Sequence, residues 1–180
     1  MTALTTDRLL LRQWKDSDRE TYAALNADPA VMEHFPNALT RAESDTMVDR
    51  LTAAIDERGF GFWAAEVRET GQFIGFIGLS VPSFEASFTP CVEIGWRLVK
   101  DAWGNGYATE GARASLAHAF GPLGLDEVLS FTTTTNKPSQ RVMERIGMTY
   151  VEDFDHPRLA AGHPLQRHVL YRITRAQWAG

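Results

Sequence analysis

Cysteine is almost missing from this chain: Cys91 is the single one among 180 residues. One thiol excludes an internal disulfide and a thiolate-rich zinc site, and it suits a reducing compartment. Long apolar runs are missing too. No stretch reaches the roughly 18 consecutive apolar residues of a membrane span, and Met1 to Asp7 has no apolar run behind a basic head. Clustered positive charge is also lacking. With 18 Lys and Arg against 23 Asp and Glu the net charge is −5, and no run of basic residues gives the footprint of a nucleic-acid binder. Repeats, linkers and low-complexity segments are absent as well, so residues 1–180 read as one domain. The chain is therefore expected to be soluble, unexported and cytoplasmic, with neither nucleic-acid nor membrane partners.

What is present is globular in composition, 44% hydrophobic and 23% charged. Arg8 to Gln13, rich in leucine, predicts a short buried strand. Ser17 with Glu20 forms a capping-box pattern, and Tyr22 and Leu25 give the following helix an apolar side until Asp28-Pro29 stops it. Asp28 then caps a short turn running to about Phe35. Thr40 and Glu43 form a second capping box, Met47, Val48, Leu51, Ala54 and Ile55 recur at helical spacing, and Gly59 ends that helix. Beyond it the period becomes extended. Phe60 to Val67 and Phe73 to Leu79 flank Glu69-Thr70-Gly71 as a hairpin. Pro82 to Pro90 is a loop carrying Phe84 and Phe88. In the next strand Val92, Ile94, Trp96 and Leu98 share one face, which leaves Glu93, Gly95 and Arg97 on the other.

A helix over Tyr107 to Phe120 presents Ala108, Ala112, Ser115, Leu116 and Ala119 as a small-residue stripe. Glu127 to Thr135 predicts a strand. A helix from Asn136 and Pro138 turns Ser139, Met143 and Ile146 inward and ends at Gly147. Met148 to Phe154 and Gln166 to Thr174 predict two last strands, the final one a candidate exposed edge for pairing. The order gives an α/β or α+β mixed sheet with a strand-helix-strand crossover in its middle.

Between Leu98 and Tyr107 the turn Trp103-Gly104-Asn105-Gly106 delivers the chain to a helix N-terminus, whose free amides suit a phosphate. A Walker loop needs Lys then Ser or Thr after its second glycine, and Tyr107-Ala108 stands there. A dinucleotide site needs three spaced glycines and an acid at the end of the next strand, whereas Asp126 and Glu127 precede that strand.

Taken together, Val92-Glu93-Ile94-Gly95-Trp96-Arg97-Leu98, Trp103-Gly104-Asn105-Gly106-Tyr107-Ala108-Thr109-Glu110, Asn136 to Ser139 and Val142-Met143-Glu144-Arg145-Ile146-Gly147-Met148 resemble the GNAT acyl-CoA N-acyltransferases. The branch most resembled is the ribosomal-protein N-terminal acetyltransferase type, RimJ/RimL-like, to which Thr6-Asp7-Arg8-Leu9-Leu10-Leu11-Arg12 and Asp28-Pro29 extend the likeness. The resemblance implies a mixed, mostly antiparallel sheet of six to seven strands flanked by helices, with acyl-CoA bound where the central strands splay apart. It also implies a single GNAT domain, acetyl-CoA as cosubstrate, no metal, and a primary amine as acceptor, in a monomer or homodimer. By the same resemblance, the amides of Trp103, Gly104, Asn105, Gly106, Tyr107, Ala108 and Thr109 hold the CoA pyrophosphate. Ile94, Gly95, Trp96 and Leu98 pair with the pantetheine amides, and Asn136 bonds the pantetheine arm. Asp101 departs from the Gln or Arg usual at the head of this turn.

For catalysis the resemblance offers Glu93 as a base acting through water, against a solvated or salt-bridged strand residue. The position where many relatives carry a tyrosine acid is Met143, which has no proton to give. Ser139, one turn earlier, is the candidate acid, against a first-turn cap. Cys91 is more simply a small buried residue than a nucleophile, and His156, His163 and His168 lack a metal-box spacing. Trp63, Phe84, Trp96 and His156 are candidate walls for the acceptor, or core. A catalytically silent acyl-CoA-binding or sensing module stands as the alternative, motivated by Met143.

Overall fold

The computed structural model describes residues 3–179. Its strands are β1 Leu4–Thr5, β2 Leu9–Arg12, β3 Phe62–Val67, β4 Gln72–Ser80, β5 Glu93–Leu98, β6 Glu127–Thr133, β7 Thr149–Asp155 and β8 Arg167–Thr174. Its helices are α1 Arg19–Ala27, α2 Arg41–Arg58, α3 Tyr107–Phe120 and α4 Lys137–Arg145. The strands form one eight-stranded sheet in the order β1-β2-β3-β4-β5-β6-β8-β7. Every neighbouring pair is antiparallel except β5 and β6, the two strands joined through α3.

Eight strands replace the expected six to seven. The addition is β1, in the segment read as polar: Leu4 pairs with Leu11 and packs on the core. A second correction concerns the edge. The last strand, β8, lies between β6 and β7, so the edge there is β7 and not the C-terminal strand.

The two capping boxes read from sequence fare differently. At α2, Thr40 Oγ1 accepts from the Glu43 amide at 3.3 Å while Glu43 Oε2 accepts from the Thr40 amide at 2.8 Å, and Gly59 closes the helix. At α1 the Ser17–Glu20 box does not form. A 3-10 turn over Asp16–Asp18 precedes the helix, and Asp18 Oδ2 accepts from the Lys15 amide at 2.8 Å. The cause is electrostatic: Arg12 reaches from β2 and meets Asp18 at 2.7 Å and Glu66 at 2.6 Å. Burial opposes the Arg12 charge, but the bonds from Asp18 and Glu66 outweigh it and hold the guanidinium above its ordinary pKa. This ion cluster ties β2 and β3 to the start of α1.

The two faces of the sheet carry different helices. Ile77 and Trp63 lie opposite one another on β4 and β3 and face α3, where a methyl at Gly111 would collide with Ile77. Their strand neighbours point the other way, so Phe76 meets Tyr22 of α1 at 6.3 Å. Helix α4 lies on the α3 side, tied to it by Arg113 donating to the Arg145 carbonyl at 3.0 Å. Met143 and Ile146 are buried beneath it, as their spacing predicted. Among the described residues no helix is long and apolar enough to cross a membrane.

Replacing Asp18 with Ala leaves Arg12 buried with half its partners and takes the turn before α1 with it. The expected loss is about 3 kcal/mol, read as a lower urea midpoint at unchanged slope.

Candidate functional site

The site begins where the sheet fails to close. Strands β5 and β6 share a single register position, Glu93 against Leu129, where the Leu129 amide donates to the Val92 carbonyl at 3.0 Å. One step on, the hydroxyl of buried Ser130 donates to the Ile94 carbonyl at 2.8 Å, a side chain standing in for a backbone rung. Beyond that bond β5 and β6 share no further register position and leave a V-shaped cleft.

The β5 side of this cleft is an open strand edge. Strand β5 pairs with β4 along its whole length, and the Val99 amide donates to the Ile74 carbonyl at 2.9 Å. By antiparallel alternation the backbone groups of Glu93, Gly95 and Arg97 point to β4, and those of Ile94, Trp96 and Leu98 point to the cleft. Ser130 occupies the Ile94 carbonyl, and the Trp103 indole donates to the Leu98 carbonyl at 2.9 Å. The Trp96 amide and carbonyl and the Leu98 amide remain available to an extended ligand bearing amides of its own.

At the mouth lies the glycine turn. Gly104 and Gly106 adopt φ of +75° and +80°, and Gly106 caps α3 with no side chain to bond its first amides. The N–H groups of Tyr107, Ala108 and Thr109 therefore point outward with no intrahelical partner. Trp103 is half-exposed and anchored by its indole, while the Asn105 side chain braces the turn through the Ala102 and Trp103 carbonyls at 3.2 and 3.1 Å. A cation arrives from far away in sequence. Arg8 donates to the Asn105 carbonyl at 2.9 Å and lies 4.8 Å from the Tyr107 ring centroid. Glu110 holds it at 2.6 Å and also accepts from the Thr6 hydroxyl at 2.6 Å and the Arg8 amide at 2.8 Å. Burial opposes the Glu110 charge, and the bonds from Thr6 and Arg8 outweigh it. Asp101 had left the turn without its usual basic residue; Arg8 brings one through space.

Glu93 stands at the apex of the V, on the sheet face of α1. Among the described residues the structure gives it no hydrogen bond and no ion pair, and burial pushes its carboxyl up to about 7. Cys91, two residues away, is pushed up to about 11 by burial first and then by Glu93 and Glu127, so its thiol is protonated near neutrality and unsuited to attack. Gly95 lies between Glu93 and Arg97 on this face, and a methyl there would approach the Phe62 ring to 3.1 Å.

Across the cleft, β6 leads into α4. The Asn136 oxygen accepts from the Ser139 amide at 3.3 Å and its nitrogen donates to Thr132 Oγ1 at 2.9 Å, so this side chain caps α4 and keeps one N–H to spare. Ser139 is partly buried in the first turn, and its hydroxyl makes no hydrogen bond among the described residues. Met143 is buried beneath it.

Two loops meet beside the cleft. Phe84 and His156, separate candidates in the sequence, pack with tilted rings whose centroids are 4.6 Å apart. Phe88, Phe131, Phe154 and His168 complete the cluster, with the two imidazoles 4.8 Å apart. Burial, His168 and Arg158 lower His156 to about 4, so it stays neutral. Trp63 does not join them. It is fully buried on the opposite sheet face against His118, ring centroids 5.7 Å apart, because β3 alternation turns it toward α3. Trp96 shares that face, opposite Ile77, so neither tryptophan lies on the face of Glu93, and the expectation that they wall the same space as Phe84 and His156 is corrected.

Three neighbours of this face escaped sequence reading: Asn26, His34 and Arg97. His34 Nδ1 lies 3.3 Å from both Thr133 and Thr135, and Arg97 donates to Asn26 at 2.8 Å. Only the alternation of β5 signalled Arg97, by setting it on the face of Glu93; the others lie about 60 residues or more away in sequence.

Comparison with known proteins gives the family. A family model described as an acetyltransferase (GNAT) domain matches residues 8–149. FsC-acetyl coenzyme A-N(2)-transacetylase of Aspergillus fumigatus is 37% identical, over 97% of this chain and 77% of its own. An acetyltransferase of Bacillus anthracis superposes with a TM-score of 0.81 at 24% identity, covering 97% of this chain and 99% of its own. Ribosomal-protein-S5-alanine acetyltransferase of Vibrio fischeri gives 0.74 at 14% identity over the whole of both chains, a likeness of fold alone.

The unpartnered Glu93 generates a stability prediction. Its folded pKa lies at about 7 against an ordinary 4.5, so its contribution is fully present below about 4.5 and is lost as the pH rises through about 7. Glu93→Gln removes that loss. The variant should exceed the parent by about 1–3 kcal/mol at pH 8 and match it at pH 4.5, measured by urea unfolding at both values.

Proposed function

Because the chain belongs to the acetyltransferase (GNAT) family and is an acetyl-CoA-dependent N-acetyltransferase, we propose that the V between β5 and β6 seats acetyl-CoA beside its amine acceptor. The observation that carries this reading is the alignment of three features along one strand. The uncapped start of α3 lies at the mouth, the open edge of Trp96 and Leu98 along the wall, and the unpaired carboxyl of Glu93 at the apex. Amides from Gly104 to Thr109 hold the pyrophosphate, with Trp103, Asn105, Tyr107 and Ala108 shaping the turn around it. Trp96 and Leu98 pair with the pantetheine, whereas Gly95, expected to join them, turns its backbone to β4 and Ile94 gives its carbonyl to Ser130; the spare N–H of Asn136 bonds the pantetheine from the other side.

Acetyl-CoA supplies the acetyl thioester; the chain moves the protons. Glu93, with a pKa near neutrality, takes the proton of the acceptor ammonium and leaves a free lone pair for attack. Ser139 relays a proton to the departing sulfur: as the C–S bond breaks its hydroxyl proton passes to sulfur, and the second proton shed by the attacking nitrogen restores the hydroxyl through water. A thiol pKa of about 8.5 makes a weak acid sufficient, so Met143 in place of tyrosine does not silence the enzyme. Phe84 and His156 form one wall of the acceptor site.

We favour a small-molecule amine over a ribosomal-protein N-terminus. The relative at 37% identity is named for acetylating FsC at N2, whereas the ribosomal-protein enzyme shares 14% identity. The same reading has residues 1–180 acting as a single domain in the cytoplasm, monomer or homodimer, without nucleic acid or membrane. The net charge of −5 and the lone cysteine support it.

Thiol release from acetyl-CoA over a panel of amino acids, peptides, polyamines and aminoglycosides tests the proposal; silence across the panel would reject it. With the best acceptor, kcat/KM should climb with pH and level off above about 7, as Glu93 ionises. Glu93→Gln should lose about 10²-fold at pH 7 and the acid limb with it. Ser139→Ala should lower kcat by about tenfold or more, with the KM for acetyl-CoA unchanged; an unaltered kcat removes Ser139 from the mechanism.

A further inference from the structure

Two arginines in this fold have guanidinium groups drawn into the protein, and the fold treats them differently. Arg12 is met by two carboxylates, Asp18 and Glu66. Arg97 is met by none. Its Nη1 donates to Asn26 Oδ1 at 2.8 Å, and Asn26, itself fully buried, is oriented by donating to Ser44 Oγ at 3.0 Å. The guanidinium carbon lies 4.0 Å from the Phe35 ring centroid and 5.5 Å from that of Phe76. Nε is buried without a partner, whereas Nη2, which also makes no bond within the fold, is not sealed off. Burial lowers the Arg97 pKa, and Tyr22, the phenol nearest to it in effect, is kept protonated and neutral by its own burial, so it supplies no counter-charge.

Asn26 and the two rings hold this group in place without neutralising it. Leaving a cation half-sunk and uncompensated costs stability, and aromatic faces offset only part of that cost. The position is informative as well. Arg97 projects from the same face of β5 as Glu93, four residues along the strand, which sets their Cα atoms about 13 Å apart. The Phe62 ring lies over Gly95 between them, so an acceptor whose nitrogen lies at Glu93 extends across that ring to bring another group to Arg97.

We propose that Arg97 binds a carboxylate of the acceptor, so that the substrate of this enzyme is an amine that also carries an anionic group at some distance from the reacting nitrogen. The inference rests on the V-shaped cleft as the reaction site and adds the acceptor's charge to that reading. Guanidinium and carboxylate match as planar partners, and the missing counter-ion is restored when substrate arrives. Asn26 positions the fork, and Phe35, from the loop after α1, covers it. Polycationic amines are disfavoured by the same charge.

Matched acceptor pairs test this. Nα-acetyl-lysine against its C-terminal amide, and 6-aminohexanoate against 6-aminohexanamide, keep the reacting amine remote from the group that changes and differ in the carboxylate. Thiol release should favour the carboxylate form of at least one pair by about tenfold or more in kcat/KM. Arg97→Gln should abolish that preference through KM, with kcat and the KM for acetyl-CoA within about twofold of the parent, and Arg97→Lys should restore part of it. Equal rates for both members of each pair, or a preference that survives in Arg97→Gln, would overturn the inference and leave the acetyltransferase reading intact. A binding measurement needs no turnover. Calorimetry of the CoA-loaded protein with 6-acetamidohexanoate should give heat that Arg97→Gln abolishes and the matching carboxamide lacks; equal binding of acid and amide would reject the proposal. A structural arginine would also lower the melting temperature when replaced, whereas removal of an unneutralised charge leaves it unchanged or raises it.

Discussion

Everything that makes this molecule more than a packed sheet depends on one interruption: β5 and β6 pair at Glu93 and Leu129 and then part. A sheet satisfies its backbone by closing every ladder, so an unfilled rung between two central strands needs a local device to hold it open. Here the device is Ser130, whose hydroxyl takes the Ile94 carbonyl, together with the Trp103 indole on the Leu98 carbonyl. What these leave over, the polar groups of Trp96 and the Leu98 amide, is an unpaired strand edge inside the fold.

The charges around this interruption follow a division of labour. Where charge serves architecture it is neutralised at short range: Arg12 with Asp18 and Glu66, and Arg8 with Glu110 at the glycine turn. On the α1 face of β5 it is left open. Among the described residues Glu93 has no donor and Arg97 no carboxylate, although both lie on the strand that carries the open edge. A side chain held unpaired in a partly dry site is poised for a partner from outside, at a cost in stability that the rest of the core offsets.

Much of the local structure was legible in the residues. Tyr107 to Phe120 was read to its ends because Gly106 and Gly121 bound a helix with a small-residue stripe, and the Thr40–Glu43 box formed as written. The Ser17–Glu20 box failed because an ion partner 54 residues away from Arg12, together with Arg12 itself, holds Asp18 in a 3-10 turn before α1. The place of β8 between β6 and β7 was likewise illegible, since strand order is chosen by which faces bury together and not by the order of strands along the chain.

The same boundary runs through the site. By itself the sequence determined the glycine turn ahead of α3, the face on which Glu93 and Arg97 lie, and the cap that Asn136 gives α4, because each depends on dihedral preference or strand alternation within a few residues. Only the tertiary structure decided that Arg8 lies against the glycine turn, that Phe84 and His156 pack in one aromatic cluster while Trp63 is core, and that Arg97 lies with Asn26 and Phe35 and, among the described residues, without a counter-ion. Those are statements about distance between segments far apart in the chain, and they are settled when burial of the two sheet faces brings the segments together.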